Sequence, residues 1–142
     1  MTELRIIVTG GRSRNRREDY RTLEEDIRRL DAQRGDAAGV TIIQGGCPDG
    51  IDAMARSLAR DYGFRVETVP ADFDLHPDDA VEVSNQEMAD RGARICIAFP
   101  NESGQSLGTW DMAHRAIAAG IKTVIYPQGK AKEVNTGEES EA

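Results

Sequence analysis

The strongest constraint on this chain is a recurring alternation. Short apolar runs closed by glycine or proline are followed by segments of helical periodicity. Leu4–Thr9 (L-R-I-I-V-T) is apolar, rich in β-branched residues and stops at Gly10-Gly11, the pattern of a buried strand. From about Glu18 to Gln33, Tyr20, Leu23, Ile27 and Leu30 recur at i, i+3, i+7 and i+10 with charges opposite, which predicts an amphipathic helix. Val40–Gln44 reads as a second strand. The helix after Asp49 (a candidate N-cap) aligns Ile51, Met54, Ala55, Leu58, Ala59 and Tyr62, with Gly63 at its stop. Phe64–Val69 is a third strand, residues 71–84 an acidic irregular stretch, and Asn85–Arg91 a short helix. Arg94–Phe99 and Ile121–Tyr126 are strands four and five, flanking a helix over Thr109–Ala119.

Strands that alternate with helices require βαβ crossovers. The expected class is α/β: one doubly wound domain, a mainly parallel five-stranded sheet with helices on both faces. In such sheets ligands bind beyond the C-terminal strand ends, near the point where strand order reverses. A chain of 142 residues fits one domain. We expect it to span residues 1–126, because composition from Pro127 onward turns polar and charged, as in a disordered acidic tail over 127–142. Met1–Arg5 leads into the first strand without a signal-peptide layout, and Cys47 and Cys96 form no C-x-x-C pair. These features predict a cytoplasmic protein with reduced thiols (the host cytoplasm if a virus encodes it) and no membrane partner.

The net charge of −7 argues against nucleic acid as a partner, since such binders present a basic face. The charge is uneven: residues 1–36 carry +1 and residues 37–126 carry −6, and Arg12, Arg14, Arg16 and Arg17 crowd into one stretch. A local anion site on an acidic protein is the expectation.

Three of the four loops after strands are glycine-rich. In the first, Gly10 and Gly11 allow a backbone to approach an anion and Arg12 offers a bidentate contact, although a tight turn with solvated arginines has the same composition. It is neither a Walker A loop nor a G-x-G-x-x-G fingerprint. The second places Gly45, Gly46 and Gly50 before a helix, with Asp52 in its first turn as a dipole partner or a ribose acceptor. Cys47 lies on this loop without a nearby His, so it reads as a small loop residue rather than a nucleophile. The fourth loop, through Gly104 and Gly108, reaches Thr109, which would cap the helix and donate to phosphate. Trp110 is either core or a stacking face, and Asp111 either catalytic or a dipole partner. Asp72, Asp74, His76, Asp78 and Asp79 lack metal-ligand spacing, so no metal is expected, and no cofactor. His76 and His114 have no evident Ser or Cys partner for a hydrolase triad.

Six blocks carry a resemblance that runs from about Leu4 to Tyr126. They are I-I-V-T-G-G-R at 6–12, I-Q-G-G-C-P-D-G-I-D-A-M-A at 43–55, V-P-A-D-F at 69–73, N-Q-E-M at 85–88, A-F-P-N at 98–101 and G-T-W-D-M at 108–112. The chain resembles the small single-domain YspA-like group of the SLOG superfamily. That resemblance implies a Rossmann-like fold and a site for nucleotides or nucleotide-derived ligands such as ADP-ribose-type molecules. Relatives include LOG-type phosphoribohydrolases and the single-strand-binding protein DprA, and pairing of relatives through helices implies a homodimer as one expected assembly. On this basis Gly10, Gly11, Arg12, Gly108 and Thr109 would hold phosphate, and Gly45, Gly46 and Asp52 would flank the sugar. Asn85 and Trp110 would address a base or second ribose, and Asp72 joins the ligand-binding set.

The LOG pattern P-G-G-x-G-T-x-x-E ends in a catalytic Glu, whereas that position here is Met112, which moves no proton. The first expectation is therefore a sensor or sequestering module for a nucleotide derivative. The alternative is an N-glycosidic hydrolase with Asp111, Glu87 or Asp72 as its carboxylate. A DprA-like single-strand binder would need a basic groove and ranks below both.

Overall fold

The computed structural model describes residues 3–35, 39–101 and 106–128, together with the backbone of 133–135. The expected alternation is present as β1 (Leu4–Gly10), α1 (Arg17–Gln33), β2 (Val40–Gln44), α2 (Gly50–Tyr62), β3 (Arg65–Thr68), α3 (Ala80–Arg91), β4 (Ile95–Phe99), α4 (Leu107–Ala118), β5 (Lys122–Ile125) and β6 (Glu133–Asn135). The sheet order is β3-β2-β1-β4-β5-β6. The first five strands are parallel, with Ile6 opposite both Ile42 and Ile95. The chain thus winds outward from β1 to β3, then returns through α3 to place β4 on the other side of β1. The switch point lies between β1 and β4.

Each sheet face buries a separate helix pair. On one face Ile6, Val8, Ile42 and Ile97 pack against Leu23 and Ile27 of α1 and Ile51, Leu58 and Ala59 of α2. Ile7, Ile43 and Cys96 face the other way onto Met88 of α3 and Met112 and Ala116 of α4. Alternation of strand side chains between faces sends Ile6 and Ile7 into different cores. Burial of each such aliphatic side chain contributes about 1.5–3 kcal/mol.

Three local expectations change. Helix α3 begins at Ala80, five residues before the expected start. Its buried face is Ala80, Ser84, Asn85, Met88 and Ala89, small and partly polar, so apolar periodicity does not announce it. The Ser84 hydroxyl meets its own burial by donating to the Val69 carbonyl at 2.7 Å. Thr109 is not the α4 N-cap; Ser106 is, and Thr109 lies buried within the first turn. The third difference is β6, which adds an antiparallel strand beyond β5 within the segment expected to be disordered. Residues 129–132 and 136–142 of that tail, and 102–105 of the fourth loop with Gly104, lie outside the described residues.

The close fit of β1 against α2 fixes where the first two loops meet. A Cβ on Gly10 would lie 2.3 Å from Ile51 Cγ1, and one on Gly50 would lie 2.5 Å from the Gly11 and Arg12 carbonyl oxygens. Gly50 also has φ of +70°, which L side chains rarely adopt. Gly10→Ala is expected to cost about 1–3 kcal/mol by overpacking. Gly39→Ala, where an added Cβ meets nothing within 4 Å, should stay within about 0.5 kcal/mol. Urea unfolding of the two variants checks this; equal stabilities would refute the close-packing account.

Candidate functional site

A cleft of about 940 Å³ opens at the switch point, within the range of about 300–1,000 Å³ usual for small-molecule sites. Its floor and one rim come from the loops after β1 and β2. Gly10, Gly11 and Arg12 face it from the first, and Gly45, Gly46 and Asp52 from the second. Gly108 and Thr109 reach it from α4, and Asn85 from α3. Nine sequence-predicted residues therefore converge on one space.

The remaining four do not line the cleft. Trp110 packs beside Ala98, Ala113 and Ile125, which is the core alternative open to it. The Asp72 carboxylate turns back on its own loop and accepts from the Asp74 and Leu75 N–H groups at 3.1 Å. Glu87 is exposed on α3 and pairs with Arg91, one turn away. Asp111 accepts from Arg115 Nε at 2.8 Å and from Asn85 Nδ2 at 2.9 Å. Burial alone would raise the Asp111 pKa, but these two donors outweigh it and hold the carboxyl below its usual range. Asp111 is thus an ionised group reaching the cleft through Asn85. Among the described residues, no group of three or more His, Cys, Asp or Glu is arranged to hold a metal.

Arg12 and Arg14, two positions apart, do different work. Arg14 is buried. It donates to the Pro100 carbonyl at 2.5 Å, the Tyr126 carbonyl at 2.9 Å and both oxygens of Asp19, and lies over the Phe99 ring. That removes it from the expected anion cluster. Arg12 is exposed at the cleft, and no described residue pairs with its guanidinium.

The second loop is fixed from both sides. Gln44 Oε1 accepts from the Gly46 N–H at 2.8 Å, and Asp52 Oδ2 accepts from the Cys47 N–H at 3.1 Å. Asp49 occupies the α2 N-cap position but its side chain forms no capping bond. In the fourth loop Ser106 Oγ is spent on the Asn101 N–H at 2.6 Å, so α4 also starts without a side-chain cap. Two helix N-termini, each carrying partial positive charge, hence meet the cleft without side-chain caps. Burial raises the Asp52 pKa, partly opposed by the Cys47 N–H and by Arg56. The cleft also has an apolar lining, from Pro70, Phe73, Val81 and Met88. Sequence reasoning overlooked this lining, and also Ser13, Asn15 and Asn101. The available signal was Phe73, an aromatic in an otherwise acidic loop, which is 60% exposed.

The residues that build this cleft lie within or beside the segments by which the chain matches known proteins. The description YspA, cpYpsA-related SLOG family fits residues 4–76, from β1 through the loop that carries Phe73. The chain belongs to this family. A similar protein is the Gene 61 protein of Mycobacterium phage D29, 32% identical over 128 residues, which cover 86% of this chain and 95% of that protein. No solved structure matches. The family's fold is realised here as a Rossmann-like sheet. Among the described residues, no helix is long and apolar enough to cross a membrane.

Two predictions follow from this geometry. Arg14→Ala leaves Asp19 without its buried partner and should cost about 3–5 kcal/mol, whereas Arg12→Ala should change stability by less than about 0.5 kcal/mol, both read by chemical denaturation. For Asp52, a folded-state pKa above the unfolded one makes protonation favour folding. That contribution is complete below the unfolded pKa and lost as pH rises through the folded one. Asp52→Asn is therefore expected to gain stability relative to wild type as pH rises across this window; parallel stability–pH curves would refute the raised pKa.

Proposed function

We propose that this SLOG-family protein binds a nucleotide or nucleotide-derived ligand, of the ADP-ribose or nucleoside monophosphate type, as a sensor or sequestering module. One observation carries the reading: an arginine that no described residue pairs and two helix N-termini lacking side-chain caps share a cleft with apolar side chains. An anion is attracted to the first group, and an aromatic ring to the second. Gly45 adds support. An added Cβ there would be only in ordinary contact with Asp52, at 3.5 Å, so packing alone does not require glycine and a closely approaching ligand would. Gly10 and Gly50 are by contrast already demanded by neighbouring protein atoms. The similarity to a phage protein fits a host-cytoplasmic setting, which we include in the proposal.

Hydrolysis of an N-glycosidic bond is the second reading, and the site favours Asp52 for it. Asp52 is the cleft carboxylate whose burial raises its pKa, as a general acid requires, whereas Asp111 is held ionised behind Asn85. Thermal shift with AMP, ADP-ribose, NAD and IMP, followed by mass spectrometry of each mixture, separates the two. A ligand at 100 times its Kd should add about 2.7 kcal/mol of stability. Arg12→Ala should weaken that ligand about tenfold or more by loss of a charge-assisted contact. Intact ligand supports binding, and release of free base that Asp52→Asn abolishes supports hydrolysis. The absence of any shift would overturn both.

A further inference from the structure

Asn85 has a fixed polarity that narrows the ligand further. Its Nδ2 donates to two acceptors, the Gly108 carbonyl at 3.2 Å and Asp111 Oδ2 at 2.9 Å. An amide nitrogen has two hydrogens, so both are consumed. The flipped orientation would set Oδ1 against two acceptors and is excluded by the same pair. Asp111 is itself held by Arg115, whose Nη1 also donates to Gln86 Oε1 at 2.9 Å. The result is a chain of contacts from Arg115 through Asp111 to Asn85, ending at an Oδ1 that accepts from no described residue.

That oxygen belongs to a residue that is only 6% exposed and lines the cleft. Val81 and Met88 stand four residues before and three after it on α3, which places all three on one helix face, and each lines the cleft. An acceptor that no described residue engages thus belongs to a cleft residue on the same helix face as apolar Val81 and Met88. Leaving it unpaired beneath a bound ring would carry the full desolvation cost, so a ligand that supplies a donor is selected over one that does not.

We infer that Asn85 is a specificity-determining residue that accepts a hydrogen bond from the exocyclic amino group of a base, adenine in preference to hypoxanthine, with Asp111 as its positioning residue. This rests on the nucleotide reading of the cleft. Asparagine commonly addresses adenine with both amide ends. Here only the carbonyl is available, and the 6-amino group meets it while the 6-oxo group of hypoxanthine is repelled.

The test is calorimetric titration of the full chain with AMP and IMP, with ADP-ribose and its inosine counterpart, and with ribose 5-phosphate, which has no base. The expected result is at least about tenfold tighter binding of each adenine ligand than of its hypoxanthine partner. In Asp111→Leu, where Asn85 Nδ2 keeps only the Gly108 carbonyl at 3.2 Å, the preference should fall, and in Asn85→Leu, which has no acceptor, it should fall to within about threefold. Ribose 5-phosphate affinity should move less than twofold, which a general structural defect would not spare. Wild-type binding with equal affinity for adenine and hypoxanthine ligands overturns the inference while nucleotide binding stands. So does a preference that survives Asn85→Leu intact. If none of the five probes binds, the nucleotide reading and the inference fall together; if ribose 5-phosphate binds as tightly as the nucleotides, the base subsite alone is refuted.

Discussion

One buried guanidinium holds the functional edge of this molecule together. Arg14 follows β1 by four residues, yet its side chain ties that loop to Pro100 after β4, to Tyr126 after β5 and to Asp19 in the first turn of α1. Parallel strands are joined only by long crossovers, so nothing local aligns their ends. A planar fork with several fixed donors does so by donating to carbonyls at the strand termini. The cleft exists because these loops are held at set positions before any ligand arrives, and such preorganisation lowers the ordering cost of binding.

The central strands were readable from sequence because they are buried on both faces. Val40–Gln44 is buried throughout and coincides with its apolar run, and Gly63 adopts the left-handed stop that its position after Tyr62 implies. Helix α3 was half hidden for the opposite reason, since Ser84 and Asn85 occupy buried positions and break the apolar stripe. Short strands such as β6 carry too few residues for periodicity to register. The site was legible at its glycines and at Arg12, where loop composition and topology coincide. It was not legible where two identical residue types diverge by a few ångströms of context. Nothing in R-S-R distinguishes the arginine that clamps from the one that no described residue engages. Asp111 and Asn85 likewise exchange the roles that their chemistry suggests, the carboxylate standing behind and the amide in front.

The glycines repeat that lesson. Tight turns and ligand cradles recruit the same residue, and only the surrounding atoms separate the two uses. Gly10 and Gly50 are answers to protein packing, since a methyl group at each would collide with Ile51 or a loop carbonyl. Gly45 is not, and it borders open cleft. A family signature made of glycines therefore mixes fold and function in proportions that a motif alone leaves unresolved.

The two edges of the sheet bear on how this molecule meets others of its kind. At one edge β3 is four residues long, and its Arg65 and Glu67 are engaged with Glu3, Arg5 and Arg91. At the other, β6 adds three residues that run against β5 and end the parallel register. Short, charged or reversed edges are poor templates for adding a foreign strand. Among the described residues the sheet edges are thus poorly suited to growth by backbone pairing, unlike the side-chain surfaces of the helical layers, which can discriminate between partners.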